Sequence, residues 1–226
     1  KRIGVSDDPD GAGPQQPTVR WTAYDGLNPY ADFDGSGNLT FRYLYGPAVD
    51  MILGRLSAGG QTAWYLTDHL GTVRDIVSKT GTVIDHIKYD SFGRVLYESN
   101  PSNGDRFKFT GRELDPATGQ YYYRARYYDA AVGRFTAEDP LGFRAGDPNL
   151  FRYVWNMPTA LRDVTGQAAV SYQDWFSSPA YKIWYRDFMV NTILSHSIAP
   201  DGGGGGSWLD AFGTWAHRVP VYGWIT

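Results

Sequence analysis

The chain has 226 residues, enough for one full core and a smaller appendage, and sets 21 Lys and Arg against 24 Asp and Glu for a formal charge of −3. Only five of the basic residues are Lys, a balance that disfavours a nucleic-acid binder, and the absence of Cys removes disulfides, thiolate zinc sites and Cys nucleophiles together. With 36 aromatic residues, 17 of them Tyr, and 27 Gly, the composition suits many short strands joined by tight turns and disfavours a helical bundle for the first two thirds.

No initiator Met or signal peptide precedes Lys1, so a piece of a longer protein is expected, and no run of roughly 18 apolar residues offers a membrane span. Residues 1–18 hold Asp7, Asp8, Pro9, Asp10, Gly11, Gly13, Pro14 and Pro17 with almost nothing apolar to bury, and read as a loop or extended lead-in. From Arg20 onward, strand-like segments alternate with Gly, Asp and Asn turns. Behind the turn Asp34-Gly35-Ser36-Gly37, Leu39, Phe41, Tyr43 and Tyr45 fall on one strand face and Asn38, Thr40 and Arg42 on the other. Ser78-Lys79-Thr80-Gly81 precedes a second strand, 82–89, with Val83, Ile87 and Tyr89 on one face and Asp85 as the exception. Pro116-Ala117-Thr118-Gly119 precedes the run Tyr121-Tyr122-Tyr123. Each is a hairpin signal with Gly where a positive φ is least costly.

The pair Tyr-Asp recurs at Tyr24-Asp25, Tyr89-Asp90 and Tyr128-Asp129, the Tyr ending a strand and the Asp capping the turn that leads to Gly26, Gly93 or Gly133. Strand-turn units that cannot bury a face alone are expected to wind into one continuous sheet. Alternation through 121–128 puts Tyr121, Tyr123, Ala125 and Tyr127 on one side and Tyr122, Arg124, Arg126 and Tyr128 on the other. Stacking of Arg on aromatics inside a wide sheet accounts for that run better than stacking on bases. Residues 147–163, interrupted by Pro158, read as irregular structure or one short helical turn. Ser178-Pro179 marks a helix start, followed by a stripe of Tyr181, Trp184, Tyr185 and Phe188 with Ile193 and Leu194 a little off it. The glycine run 202–206 reads as a linker, and Trp208, Phe212, Trp215, Tyr222 and Trp224 form an aromatic tail.

The segment Tyr65-Leu66-Thr67-Asp68-His69-Leu70-Gly71-Thr72-Val73-Arg74, with Tyr89-Asp90-Ser91-Phe92-Gly93-Arg94 after it, resembles the core of the Rhs or YD-repeat family. Phe109-Thr110-Gly111-Arg112-Glu113-Leu114-Asp115, Gly119-Gln120-Tyr121-Tyr122-Tyr123-Arg124-Ala125-Arg126-Tyr127-Tyr128-Asp129, Gly133-Arg134-Phe135 and Asp139-Pro140-Leu141-Gly142 follow in the family order. The resemblance covers 20–166. It implies a mainly β fold in which antiparallel hairpin repeats form part of a hollow β-cocoon, this core plugging one end. A short helical segment is expected near the C-terminus. The expected divisions are a lead-in at 1–19, the Rhs-repeat-associated core at 20–166 and a variable passenger or assembly segment at 167–226. Because 226 residues hold only the last portion of such a shell, the expected partners are the chain's own N-terminal shell repeats and its C-terminal passenger, with a homo-oligomer or fibre as a further option.

The resemblance also implies that Asp139 and Asp163, at the heads of two Asp-x-x-Gly motifs, form an intramolecular aspartic protease that cuts between Gln167 and Ala168. Two carboxylates held together supply an acid and a base for attack of water on a nearby peptide bond. Arg126 matches the arginine that accompanies the first aspartate, to hold a carboxylate ionised or orient the strand being cut. This chain departs from the family beside the expected cut: Asp163-Val164-Thr165-Gly166 lacks the Pro, and Gln167 stands where Leu is usual. Without the resemblance, an Asp in a turn is more often a cap than a catalyst. Asp68-His69 could carry a proton or a metal, but a structural hydrogen bond to its turn is the better reading. His86, His196 and His217 lack ligand spacing, and 202–206 lacks the Lys-Ser/Thr of a phosphate loop, so no cofactor or metal is expected.

Two functions follow. One is the C-terminal core of a secreted, toxin-like Rhs protein that plugs its shell and frees an encapsulated peptide by self-cleavage. The alternative is a non-cleaving extracellular structural protein whose aromatic tail mediates assembly into a fibre or surface layer. Either would be secreted or held at a cell surface, in a bacterium by analogy with most of the family.

Overall fold

The computed structural model describes residues 1–8, 13–167 and 169–171. The expected helix after Ser178, the glycine run 202–206 and the aromatic tail lie outside the described residues, among which no α-helix occurs. The fold is mainly antiparallel β. Nine strands form one sheet in chain order: β1 (Gly4–Asp7), β2 (Thr18–Asp25), β3 (Asn28–Asp34), β4 (Leu39–Tyr45), β5 (Ile52–Ser57), β6 (Thr62–Thr67), β7 (Val73–Ser78), β8 (Val83–Tyr89) and β9 (Val95–Glu98). Six of the eight strand pairs carry a register shift, and bulges repeated along a meander bend and twist the sheet into a curved wall.

The core of this sheet contains Tyr43, Ile52, Tyr65, Val73, Ile76 and Ile87, joined by Phe107, whose ring meets Tyr43 edge-on at 5.0 Å. The connection after β9 returns across the wall, where Val73 N donates to Lys108 O at 3.0 Å. It then enters a second sheet of β10 (Glu113–Asp115), β11 (Gln120–Tyr123), β12 (Arg126–Asp129) and β13 (Arg134–Phe135). Phe109, Tyr121, Tyr123, Tyr128, Phe135 and Tyr153 make a second core, and Tyr89 packs against both clusters. A last hairpin pairs β14 (Leu161–Asp163) with β15 (Ala169–Ser171), Asp163 opposite Ala169.

The lead-in holds an extended strand: Gly4–Asp7 pairs with β2, because an edge strand needs only backbone partners and not an apolar face. Two local expectations need correction. On β8 a bulge between Val83 and Asp85 makes Val83 54% exposed, while Asp85 stays on the inner face with Ile87 and is fully buried. There Asp85 Oδ1 accepts bonds from Ser99 Oγ at 3.2 Å and Asn100 N at 2.9 Å, which offsets part of the cost of burying a carboxylate. The run 121–128 is not one strand. Arg124, at φ 63°, turns the chain between β11 and β12, so Tyr121 and Tyr128 face the core together while Tyr122 and Tyr127 pair on the other face.

Candidate functional site

The Asp-x-x-Gly turn recurs through the fold for a local reason. An Asp at its head accepts a backbone N–H two residues on, as Asp34, Asp68 and Asp90 do at 2.9, 3.0 and 3.0 Å. Asp139 and Asp163 obey the same rule: Asp139 Oδ1 accepts Leu141 N at 2.8 Å, and Asp163 Oδ1 accepts Thr165 N at 3.0 Å and Gly166 N at 2.7 Å. Two features set this pair apart. Both are buried, and each turns its second oxygen, Oδ2, toward Nη2 of Arg126, at 3.0 Å from Asp139 and 3.6 Å from Asp163.

Arg126, at the start of β12, is buried and lies over the Phe135 ring, 3.6 Å from its centroid. Its other nitrogens are engaged as well, Nη1 donating to Leu150 O at 2.9 Å and Nε to Gly166 O at 2.6 Å. Burial pulls the Arg126 guanidinium below its ordinary value, and the charges of Asp139 and Asp163 oppose that pull. One cation therefore joins two carboxylates to the loop that follows the second. The three residues expected to act together, Asp139, Asp163 and Arg126, converge.

That loop is held residue by residue. Arg124 Nη1 donates to Val164 O, Ala125 N to Thr165 O at 3.2 Å, and Arg126 Nε to Gly166 O. Gly166 sits at φ 78°, and a Cβ there would run into Tyr123 O and crowd Arg126 N, so only Gly allows this approach. Gln167 follows, half-buried, in the connection between β14 and β15; Ala168, the residue beyond the expected cut, lies outside the described residues.

Asp68 accepts the amides of Leu70 and Thr72, each at 3.0 Å, and His69 Nε2 lies 3.0 Å from Thr159 O. Asp68 therefore makes the bonds expected within its turn, whereas His69 reaches a carbonyl 90 positions along the chain and not its own turn. Among the described residues no three His, Asp or Glu side chains gather as for a metal ion. Sequence reasoning passed over Arg124 and Asp50. Asp50 Oδ1 accepts Arg112 Nη1 at 2.7 Å, and its two oxygens accept the Arg124 fork at 2.6 and 2.9 Å. The one available signal was the first Arg of Tyr-Arg-Ala-Arg-Tyr, which strand alternation absorbs into sheet stacking.

The family model for the teneurin YD-shell matches residues 33–155. Salivary gland surface protein 1 of Aedes aegypti is 35% identical over 138 residues, 59% of this chain and 4% of that protein. Toxin protein Tse5 of Pseudomonas aeruginosa is 36% identical over 104 residues, 46% of this chain and 8% of its own length. In fold the chain is similar to the crystal structure of TcdB2-TccC3-TEV, with a TM-score of 0.54 and 20% identity over 72% of this chain and 10% of that one. The chain thus spans a small part of each.

Proposed function

The chain belongs to the teneurin YD-shell family, within the Rhs/YD-repeat proteins, and on that premise we propose that it is the C-terminal core of a secreted, toxin-related β-shell that cuts itself between Gln167 and Ala168. The observation that carries this reading is the convergence of Asp139 and Asp163 on Arg126, with Arg126 also gripping Gly166 one residue before Gln167. In the proposed reaction, one carboxyl enters protonated and the other ionised. The ionised one takes a proton from water as its oxygen attacks the Gln167 carbonyl carbon, and the protonated one gives its proton to the Ala168 nitrogen as the C–N bond breaks. The products are a Gln167 carboxylate and a free Ala168 amine. Arg126 offsets the charge that gathers between the carboxylates and keeps the loop against them.

On this reading 1–19 leads in, 20–166 forms the plug, and the cut frees 168–226 as a passenger that stays with the shell until release. Its partners are the preceding shell repeats and that passenger. A second reading, a non-cleaving surface protein that assembles through its aromatic tail, draws support from the likeness to the mosquito surface protein and from the loss of Pro and Leu at Val164 and Gln167.

Mass spectrometry of the purified chain separates the two. The first predicts two fragments with a new N-terminus at Ala168 and a single intact species for Asp139→Asn; a wild-type chain that stays whole from mildly acid to neutral pH sinks it.

A further inference from the structure

Three carbonyls in a row, those of Val164, Thr165 and Gly166, are gripped by three residues in a row, Arg124, Ala125 and Arg126. Arg126 belongs to the carboxylate pair. Arg124 does not touch either carboxylate of that pair; its fork lies on Asp50, a residue of the connection between β4 and β5 that is 74 positions away in the chain. The same guanidinium reaches Leu27 O, in the connection between β2 and β3, at 3.1 Å. Arg162 on β14 points the same way, with Nη2 donating to Val49 O at 3.1 Å and Nη1 to Leu70 O at 3.3 Å. The loop before the expected cut is thus fastened to the nine-stranded wall and not only to the small sheet that carries Arg126.

We infer that Arg124, held by Asp50, is a positioning residue that clamps the 164–166 loop and so governs how the Gln167–Ala168 bond is presented to Asp139 and Asp163. The inference rests on the cleavage reading above and deepens it: the cut depends on the wall being folded, because Asp50 and Leu27 come from it. A bidentate pair suits this role, since a planar fork fixes the direction of the guanidinium as a single ammonium cannot. Displacing a reacting group by about 1 Å can cost a hundredfold in rate, so loosening one end of the loop should slow the cut without altering its acid-base chemistry.

The test uses the intact chain with Arg124→Gln, Arg124→Lys, Asp50→Asn and the double variant Asp50→Asn/Arg124→Gln. Fragment appearance is followed by mass spectrometry across pH, and hydrogen exchange is followed at the amides of Thr165 and Gly166. Arg124→Gln should slow cleavage by roughly tenfold to a hundredfold, leave the shape of the pH profile unchanged and raise exchange at those two amides. Where the double variant still melts cooperatively despite losing the Asp50–Arg112 pair as well, it should be no slower than Arg124→Gln, because Asp50 acts on the loop through Arg124. Arg124→Lys keeps a cation beside Asp50, so it carries the same expectation in a folded chain if the Gln variant fails to fold. Variants that melt cooperatively, exchange normally and cut at the wild-type rate overturn the clamp and leave the cleavage reading intact. A wild-type chain that never cuts, with variants whose loop exchange rises, sinks the cleavage reading while the clamp on the loop stands.

Discussion

Asp139 and Asp163 present the same atom, Oδ2, to the same nitrogen of Arg126, while the Oδ1 of each is spent on its own turn. Two turns 24 positions apart therefore meet at one buried cation. Removing that cation would leave two carboxylates facing each other away from water. Breaking a buried ion pair from one side costs about 3–5 kcal/mol, so Arg126→Met should fall in that range in urea unfolding. Asp139→Asn, which keeps shape and leaves Arg126 beside Asp163, should cost clearly less. An Arg126→Met chain as stable as wild type would show that the cluster contributes nothing to the fold.

Gly166 gives a second test. Its positive φ and the Tyr123 carbonyl against its Cα leave no room for a methyl group. Gly166→Ala must either strain the backbone, at about 1–3 kcal/mol, or lift the loop from the turn at Arg124. In both cases cleavage after Gln167 should drop by more than tenfold, about 1.4 kcal/mol of barrier. Gly119→Ala is the control. Gly119 shares a positive φ of 70° but has open space around its Cα, so it should lose stability without losing cleavage.

The hairpins were legible because their causes are local. The turn at Asp34–Gly37, for example, follows from an Asp that accepts Ser36 N and a Gly at φ 82°. Asp139 and Asp163 could not be picked out that way, since Asp34, Asp68 and Asp90 use the same turn chemistry; family likeness singled them out, and burial and the shared Arg126 distinguish them physically. Arg124 and Asp50 were out of reach for another reason. No Gly or Asn marks the turn at Arg124, whose left-handed backbone is held by bonds to Asp50 and Val164, 74 and 40 positions away. Alternation read through that turn places Tyr128 on the wrong face, because it assumes a strand where tertiary contacts impose a corner.

Tyr128 anchors the second core. It is fully buried, its ring lies 4.3 Å from Tyr153 and 5.5 Å from Tyr123, and its hydroxyl donates to Phe92 O at 2.8 Å. Tyr128→Ala should cost about 3–5 kcal/mol through the cavity it leaves. Tyr128→Phe keeps the ring and strands one carbonyl, for about 1–3 kcal/mol. Equal losses in urea unfolding would mean that the hydroxyl, and not the ring packing, dominates.

Glu113 predicts how stability responds to acid. Burial alone would raise its carboxyl, but the charges of Arg106, Arg112 and Arg2 outweigh that effect and hold it below its ordinary value. Arg106 Nε donates to Glu113 Oε2 at 2.9 Å, and Arg2 Nη2 reaches the same oxygen at 3.3 Å. A carboxyl with a depressed folded value contributes stability that is fully present above the unfolded value, about 4.3, and is lost as pH falls through the lower folded value. Wild-type stability should therefore fall on acidification below about pH 4.3. Glu113→Gln removes the charge at every pH, so the variant should be less stable at neutral pH, lose less on acidification, and approach the wild type at the acid end. Urea midpoints for the two chains across this range supply the measurement. A constant gap between the curves would show that the loss is one of packing, with no proton linked to it.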